Sequence, residues 1–222
     1  MLVDAISFYS GNKSCLRLIL NKNEYLKFKS SNVGSSYYHA AKPIKSDLEG
    51  NSWYSLEREN FDSACDRFLI VLSENKNYAA NCLDAEINGD IRKAGMYFDY
   101  PHCCIEYYNQ VLQFNPELWA VKIHESSGKG PYPYQANRLA TGWGGIAFTA
   151  ELFPCNLFCE SAIKIGEKNE QSLKKLGLSK LTEKIKKHSL SSCILNSSGS
   201  VNRFIEGRVV QQNEILLNFY KS

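Results

Sequence analysis

Two cysteine clusters constrain this chain more than any other feature. The first reads Tyr100-Pro101-His102-Cys103-Cys104, the second Phe153-Pro154-Cys155-Asn156-Leu157-Phe158-Cys159-Glu160-Ser161. Each sets a proline shortly before sulfur and opens into a segment that reads as helix. Proline is favoured at the first helical position, so each cluster is expected at a helix N-terminus. Unpaired backbone N–H groups and the helix dipole favour an anion there and lower a thiol pKa.

Helical geometry then makes two expectations. Cys155 and Cys159, spaced i, i+4, share a face if both are helical. Adjacent Cys103 and Cys104 project about 100° apart, which disfavours their chelating one ion as a pair. One is expected to face the site while the other packs inward. Bringing the two helix starts together gathers three or four sulfurs.

The 222 residues are 44% hydrophobic and 12% aromatic, enough for a sizeable core, or for a domain with a smaller lobe. The net charge of +3 is too balanced to predict a nucleic-acid partner. The lysines at 174, 175, 180, 184, 186 and 187 read as a solvated helix face. No apolar run reaches the ~18–20 residues of a membrane span, and Met1–Ile6 carries no basic leader, so a cytoplasmic location is expected. In a reducing compartment, clustered cysteines suggest metal or catalysis before structural disulfides. Cys15, Cys65, Cys82 and Cys193 have no partner motif around them and read as core residues.

Residues 1–60 read as an N-terminal lobe or decoration, with short apolar runs at Leu16–Leu20 and Tyr25–Phe28 that fit helix or strand equally and an irregular connection at Pro43–Trp53. The remainder, 61–222, reads as the cysteine-motif domain. Arg67–Leu72 is a buried strand by composition. Helices follow over Tyr78–Ile87, Ile91–Phe98 and from Pro101 to before Pro116. Ser126–Tyr134 is a Gly/Pro/Ser-rich loop expected to border the cysteine site. Gly142-Trp143-Gly144-Gly145 is a turn, and Ile146–Phe153 is strand-like. A long helix over Ala162–Leu176 and another over 179–188 come next. Ser197-Ser198-Gly199-Ser200 is a turn between strand-like stretches. The expected class is α+β, a single mixed domain with several helices around a small sheet, plus the N-terminal lobe.

Three stretches together resemble a prokaryotic family known as domain of unknown function 483. They are Asp84-Ala85-Glu86 to Gly95, then Asp99-Tyr100-Pro101-His102-Cys103-Cys104-Ile105-Glu106, and the Pro154-Cys155 through Cys159-Glu160-Ser161 segment with the helix after it. The resemblance covers roughly 66–178. This chain departs from the family at Asp99, where glycine is usual, and at Phe153, near an expected histidine. The label implies no established activity.

Three functions compete. A metal- or Fe–S-dependent enzyme would use Cys103, Cys104, Cys155 and Cys159 as ligands, with His102 or His124 available to complete a set. The ion would be an Fe–S cluster or zinc. A cysteine-nucleophile or thiol-redox enzyme would attack through Cys103 or Cys104 with His102 or His124 as base. A non-catalytic metal- or ligand-binding module is the third. In the enzyme readings Arg138, with Asn137, is placed to hold a carboxylate or phosphate of a small-molecule or peptide substrate. Tyr132, Tyr134 and Trp143 are candidates for a pocket wall. The metal-dependent enzyme is favoured, because four clustered thiols exceed what one nucleophile needs.

Overall fold

A computed structural model describes residues 2–31, 36–44, 67–114, 119–139, 147–196, 201–203 and 210–220. The described residues are mixed α+β, as expected, with eight helices and three small sheets. The chain divides into two compact units, residues 13–99 and residues 1–12 with 100–222. The boundary expected near residue 60 falls outside the described residues, as do Cys65, the Gly142–Gly145 turn and the Ser197–Ser200 turn.

The 13–99 unit is built on an antiparallel sheet of β1 (Cys15–Asn21), β2 (Tyr38–Ile44) and β3 (Arg67–Ser73), in the order β1-β3-β2. The apolar strand β3 is central, and Leu69, Ile70, Val71 and Leu72 are all buried. Pro43, expected in an irregular connection, instead pairs with Phe68 at the edge of the sheet. An edge strand tolerates a residue without an N–H. Tyr25–Phe28 belongs to helix α2 (Lys22–Lys29), started by a capping box between Asn21 and Glu24. Helices α3 (Lys76–Ile87) and α4 (Ile91–Tyr97) follow, capped by Asn75 and Asp90. Cys15 and Cys82 are buried in this unit.

In the other unit α1 (Leu2–Tyr9) is followed, after the 13–99 segment, by α5 (His102–Phe114) and α6 (Trp119–Ser127). A short strand β4 (Tyr132–Pro133) and a single 3-10 turn (Tyr134–Ala136) lead to α7 (Glu160–Lys175) and α8 (Ser179–Ser189). The end of the chain forms β5 (Cys193–Asn196), β6 (Val201–Arg203) and β7 (Glu214–Leu217), ordered β6-β5-β7 and antiparallel. A last strand, β8 (Phe219–Tyr220), runs parallel to β4. Phe148, Leu157, Leu173, Leu195 and Tyr132 form the centre of this unit's core.

The strand expected over Ile146–Phe153 is absent from the described part, 147–153, which folds as successive turns. Side chains satisfy its backbone in place of a sheet ladder. Asn169 Nδ2 donates to the Phe148 carbonyl at 2.8 Å, and the Glu151 amide donates to Asp4 Oδ1 at 3.3 Å. Buried backbone groups require partners, and these long-range bonds have no signature in local sequence.

Candidate metal centre

The first cluster lies where its proline placed it. The Pro101 carbonyl accepts from the amides of Cys104 and Ile105, so Pro101 sits at the threshold of α5. His102, Cys103 and Cys104 form the first turn of that helix. The second cluster is not helical, which corrects the shared-face argument for Cys155 and Cys159. Residues 154–159 form a turn, and α7 begins only at Glu160 with Cys159 as its N-cap. Asn156 explains the difference. Its Oδ1 accepts from the Phe158 amide at 2.9 Å and its carbonyl from the Cys159 amide at 3.2 Å. Asparagine thus offers the backbone a local alternative to helix.

The end of α6 fixes this turn from outside. The Ser126 hydroxyl donates to the Cys155 carbonyl at 2.8 Å, and the Leu157 amide donates to Ser127 Oγ at 2.7 Å. Leu157 is fully buried and anchors the turn in the core. The start of the glycine-rich stretch 126–134 therefore does border the cysteines. Ser126, Ser127 and Asn156 escaped the sequence reading as site residues. Of the three, only Asn156 had a local signal, an Asx-turn residue just after Pro-Cys.

The four sulfurs of Cys103, Cys104, Cys155 and Cys159 lie within 4.8 Å of one another and form a group able to hold a metal ion. Cys103 Sγ is 3.9 Å from Cys104 Sγ and 3.8 Å from Cys159 Sγ, and Cys104 Sγ is 3.7 Å from Cys159 Sγ. The expectation that Cys103 and Cys104 would diverge is therefore corrected. The point they share lies between their two directions, which leaves Cys103 exposed and Cys104 buried. Leu152 and Ala162 pack with Cys104 and Cys159, with Tyr100 and Ile165 against them, so the inner side of the group is apolar.

Electrostatics concentrates thiolate character on Cys159. Hydrogen bonds from Cys104 and Cys155 hold its thiol far below the ordinary range, outweighing burial, and the Ala162 amide helps. Cys104 moves upward as the donor to Cys155 and Cys159, with burial adding to the rise. For Cys155 the contact with Cys104 acts downward, but Cys159 and burial prevail, and its thiol is pushed up to about 12. Asn156 Nδ2 lies 3.5 Å from Cys155 Sγ and is placed to donate to it.

The other candidate residues are not gathered with the sulfurs into that ligand group. His102 is exposed, with Nε2 4.0 Å from Glu106 Oε1 one turn along α5. His124 is half-buried on α6, where the neighbouring Glu125 pairs with Lys122 at 2.8 Å. Arg138 is buried with its guanidinium 5.1 Å from the Phe153 ring centre, and Phe153 stacks on Tyr108 of α5. Burial moves the Arg138 guanidinium below its usual value, with Asp4 and Glu151 opposing that shift. Asn137 is committed to the Ser189 carbonyl at 2.6 Å. Tyr132 and Tyr134 belong to the core, and Trp143 lies outside the described residues. Among the described residues, no helix is long and apolar enough to cross a membrane.

No protein-family model, curated protein or solved structure matches this chain.

Proposed function

We propose that the unit comprising residues 1–12 and 100–222 is a metal-dependent domain in which Cys103, Cys104, Cys155 and Cys159 bind one thiophilic ion, zinc before iron. The supporting observation is the set of sulfur separations, 3.7, 3.8 and 3.9 Å. Four ligands at a Zn–S distance of about 2.3 Å form a tetrahedron whose edge is about 3.8 Å. An Fe–S cluster has to fit several irons and bridging sulfides between its cysteines, which spreads the thiolates wider than a single ion does. Four sulfurs within 4.8 Å therefore favour one ion over a cluster.

A complete four-cysteine set is closed, and closed zinc sites contribute folding energy more often than they open a position for substrate. In that role the ion ties the first turn of α5 to the N-cap of α7. Turnover at the metal requires a ligand to leave, and exposed Cys103 is the ligand free to do so. A second reading, a thiol enzyme without metal, is favoured by the same residue: an exposed cysteine in the first turn of a helix. The resemblance to domain of unknown function 483 remains a proposal that rests on the cysteine motifs. At Asp99, where that family usually has glycine, φ is 55°, in the left-handed region that glycine occupies without strain and aspartate tolerates.

Single serine substitutions at the four cysteines separate the readings. Under the metal reading, Cys155→Ser and Cys159→Ser lose bound ion and melt at lower temperature together. Loss of fast alkylation in Cys103→Ser alone, with melting unchanged in all four variants and no metal in the wild type purified without air, would favour the nucleophile.

A further inference from the structure

The four sulfurs are unequally exposed, and this inequality bears on how the site proposed above is regulated; the inference rests on that reading. Cys103 is exposed, Cys155 half-buried, and Cys104 and Cys159 are buried. A soluble oxidant therefore meets Cys103 first, and because an ion holds all four ligands as thiolates, exposure decides which sulfur is oxidised. All three other sulfurs lie within 4.8 Å of Cys103, and two of them are in direct contact with it, Cys159 at 3.8 Å and Cys104 at 3.9 Å. They are not equivalent. Consecutive Cα atoms across a trans peptide are about 3.8 Å apart, below the ~4.4 Å at which ordinary disulfides begin. Cys103 and Cys104 are consecutive inside a helix, so that pairing is disfavoured. Cys159 belongs to a different element, and its backbone is extended rather than helical. Closing a bond of about 2.05 Å asks the 154–159 turn and the first turn of α5 to approach by less than two ångströms.

We propose that the centre is an oxidation-gated metal site: a peroxide oxidises Cys103, Cys159 resolves it as a disulfide, and the ion is released. The Cys103 thiolate attacks one peroxide oxygen. The O–O bond breaks, an S–O bond forms, and the departing oxygen leaves as water after taking up a proton. The Cys159 sulfur then attacks Cys103 sulfur, the S–O bond breaks, and a second water leaves with a second proton. Two thiolates lose two electrons in total, and the peroxide gains them. The ion keeps its oxidation state and is left with Cys104 and Cys155 alone, half of a tetrahedral set. A dithiol reductant restores both thiolates and the site.

The test uses the full chain loaded with one equivalent of Zn2+ without air. It is treated with hydrogen peroxide beside a zinc-sensitive dye, quenched by alkylation, and mapped by mass spectrometry without reduction. Released zinc is expected to track the Cys103–Cys159 linked peptide mole for mole and to rebind after reduction. A Cys103→Ser chain, holding zinc through three sulfurs, releases it at least about tenfold more slowly, because attack has to begin at a less exposed sulfur. Should that variant fail to hold zinc, the wild-type peptide map still decides. Release coupled to any link other than Cys103–Cys159, such as Cys103–Cys104, Cys103–Cys155 or Cys104–Cys159, or zinc retained after Cys103 is oxidised, overturns the inference alone. A chain that takes up no zinc overturns the metal reading and this inference with it.

Discussion

Replacing Gly166 by alanine sets two effects of known size against each other. Gly166 lies inside α7, where alanine gains about 0.8–1.0 kcal/mol in helix propensity. The structure opposes that gain. A Cβ at this position would stand 2.7 Å from the Gln135 carbonyl oxygen, 3.0 Å from the Gln135 Cβ and 3.2 Å from its carbonyl carbon. The obstacle is backbone, so no side chain can swing away to relieve it. The 3-10 turn is held in turn by a Tyr134–Glu170 hydrogen bond and by the Asn137 amide on the Tyr134 carbonyl. Overpacking of this kind costs about 1–3 kcal/mol. The net expectation is destabilisation of about 1 kcal/mol, a fall in melting temperature of about 2–4 °C for a chain of this size. Because Cys159 caps the same helix, a displaced α7 also carries one sulfur off the shared point, so the variant should yield its ion to a chelator sooner. Urea unfolding measures the first effect, and the rate of ion transfer to a chelator measures the second. Stabilisation by the full propensity gain would mean instead that α7 rests against the turn loosely enough to move off it.

Three further outcomes follow from the site and its surroundings. Asn156→Ala removes both the amide beside Cys155 sulfur and the acceptor for the Phe158 amide; a competition titration should show metal affinity about 10–100-fold weaker, the usual effect of losing a partner outside the ligand set. His102→Ala should leave metal content unchanged, because that side chain is 84% exposed and turns toward Glu106; loss of metal would make it a ligand. Burial alone would raise the Glu170 carboxyl, but hydrogen bonds from Lys174 and Tyr134 and the charges of Lys174 and Lys186 leave it below the ordinary range. A carboxyl lowered in the folded state stabilises fully above its unfolded pKa of about 4.3, and that contribution fades as pH falls through the folded value. The stability advantage over Glu170→Gln should therefore be present at neutral pH and vanish in acid, and an advantage independent of pH would assign the effect to packing.

What was legible in the sequence depended on how local its cause was. Strand β3 announced itself as an unbroken apolar run, Phe68 to Leu72, and α5 by a proline at its threshold with Ile105, Tyr108 and Val111 on one face. The gathering of four sulfurs was legible because both clusters showed proline, sulfur and helix in order. The route was not. Asn156 forms its own turn, while Ser126 and Ser127 reach the 154–159 segment from about thirty residues away in sequence, and only a folded chain shows such bonds. Helix α2 was ambiguous for another reason. None of its residues is buried, so it carries no core-facing stripe, and its start is fixed by the Asn21–Glu24 capping box. The turns at 147–153 bury Ala147, Phe148 and Leu152, and an apolar run held in place by Asn169 and Asp4 reads as a strand until those partners are known.

Under the proposed function, Cys103, Cys104, Cys155 and Cys159 hold a single ion. X-ray absorption at the metal edge, on the full chain purified without air and with its metal content counted, tests it most directly. One ion per chain surrounded by four sulfurs at about 2.3 Å is expected, with no second metal nearby. A metal–metal distance in the same spectrum would mean a cluster, and nitrogen or oxygen ligands in place of sulfur would mean another site; either result would contradict the claim.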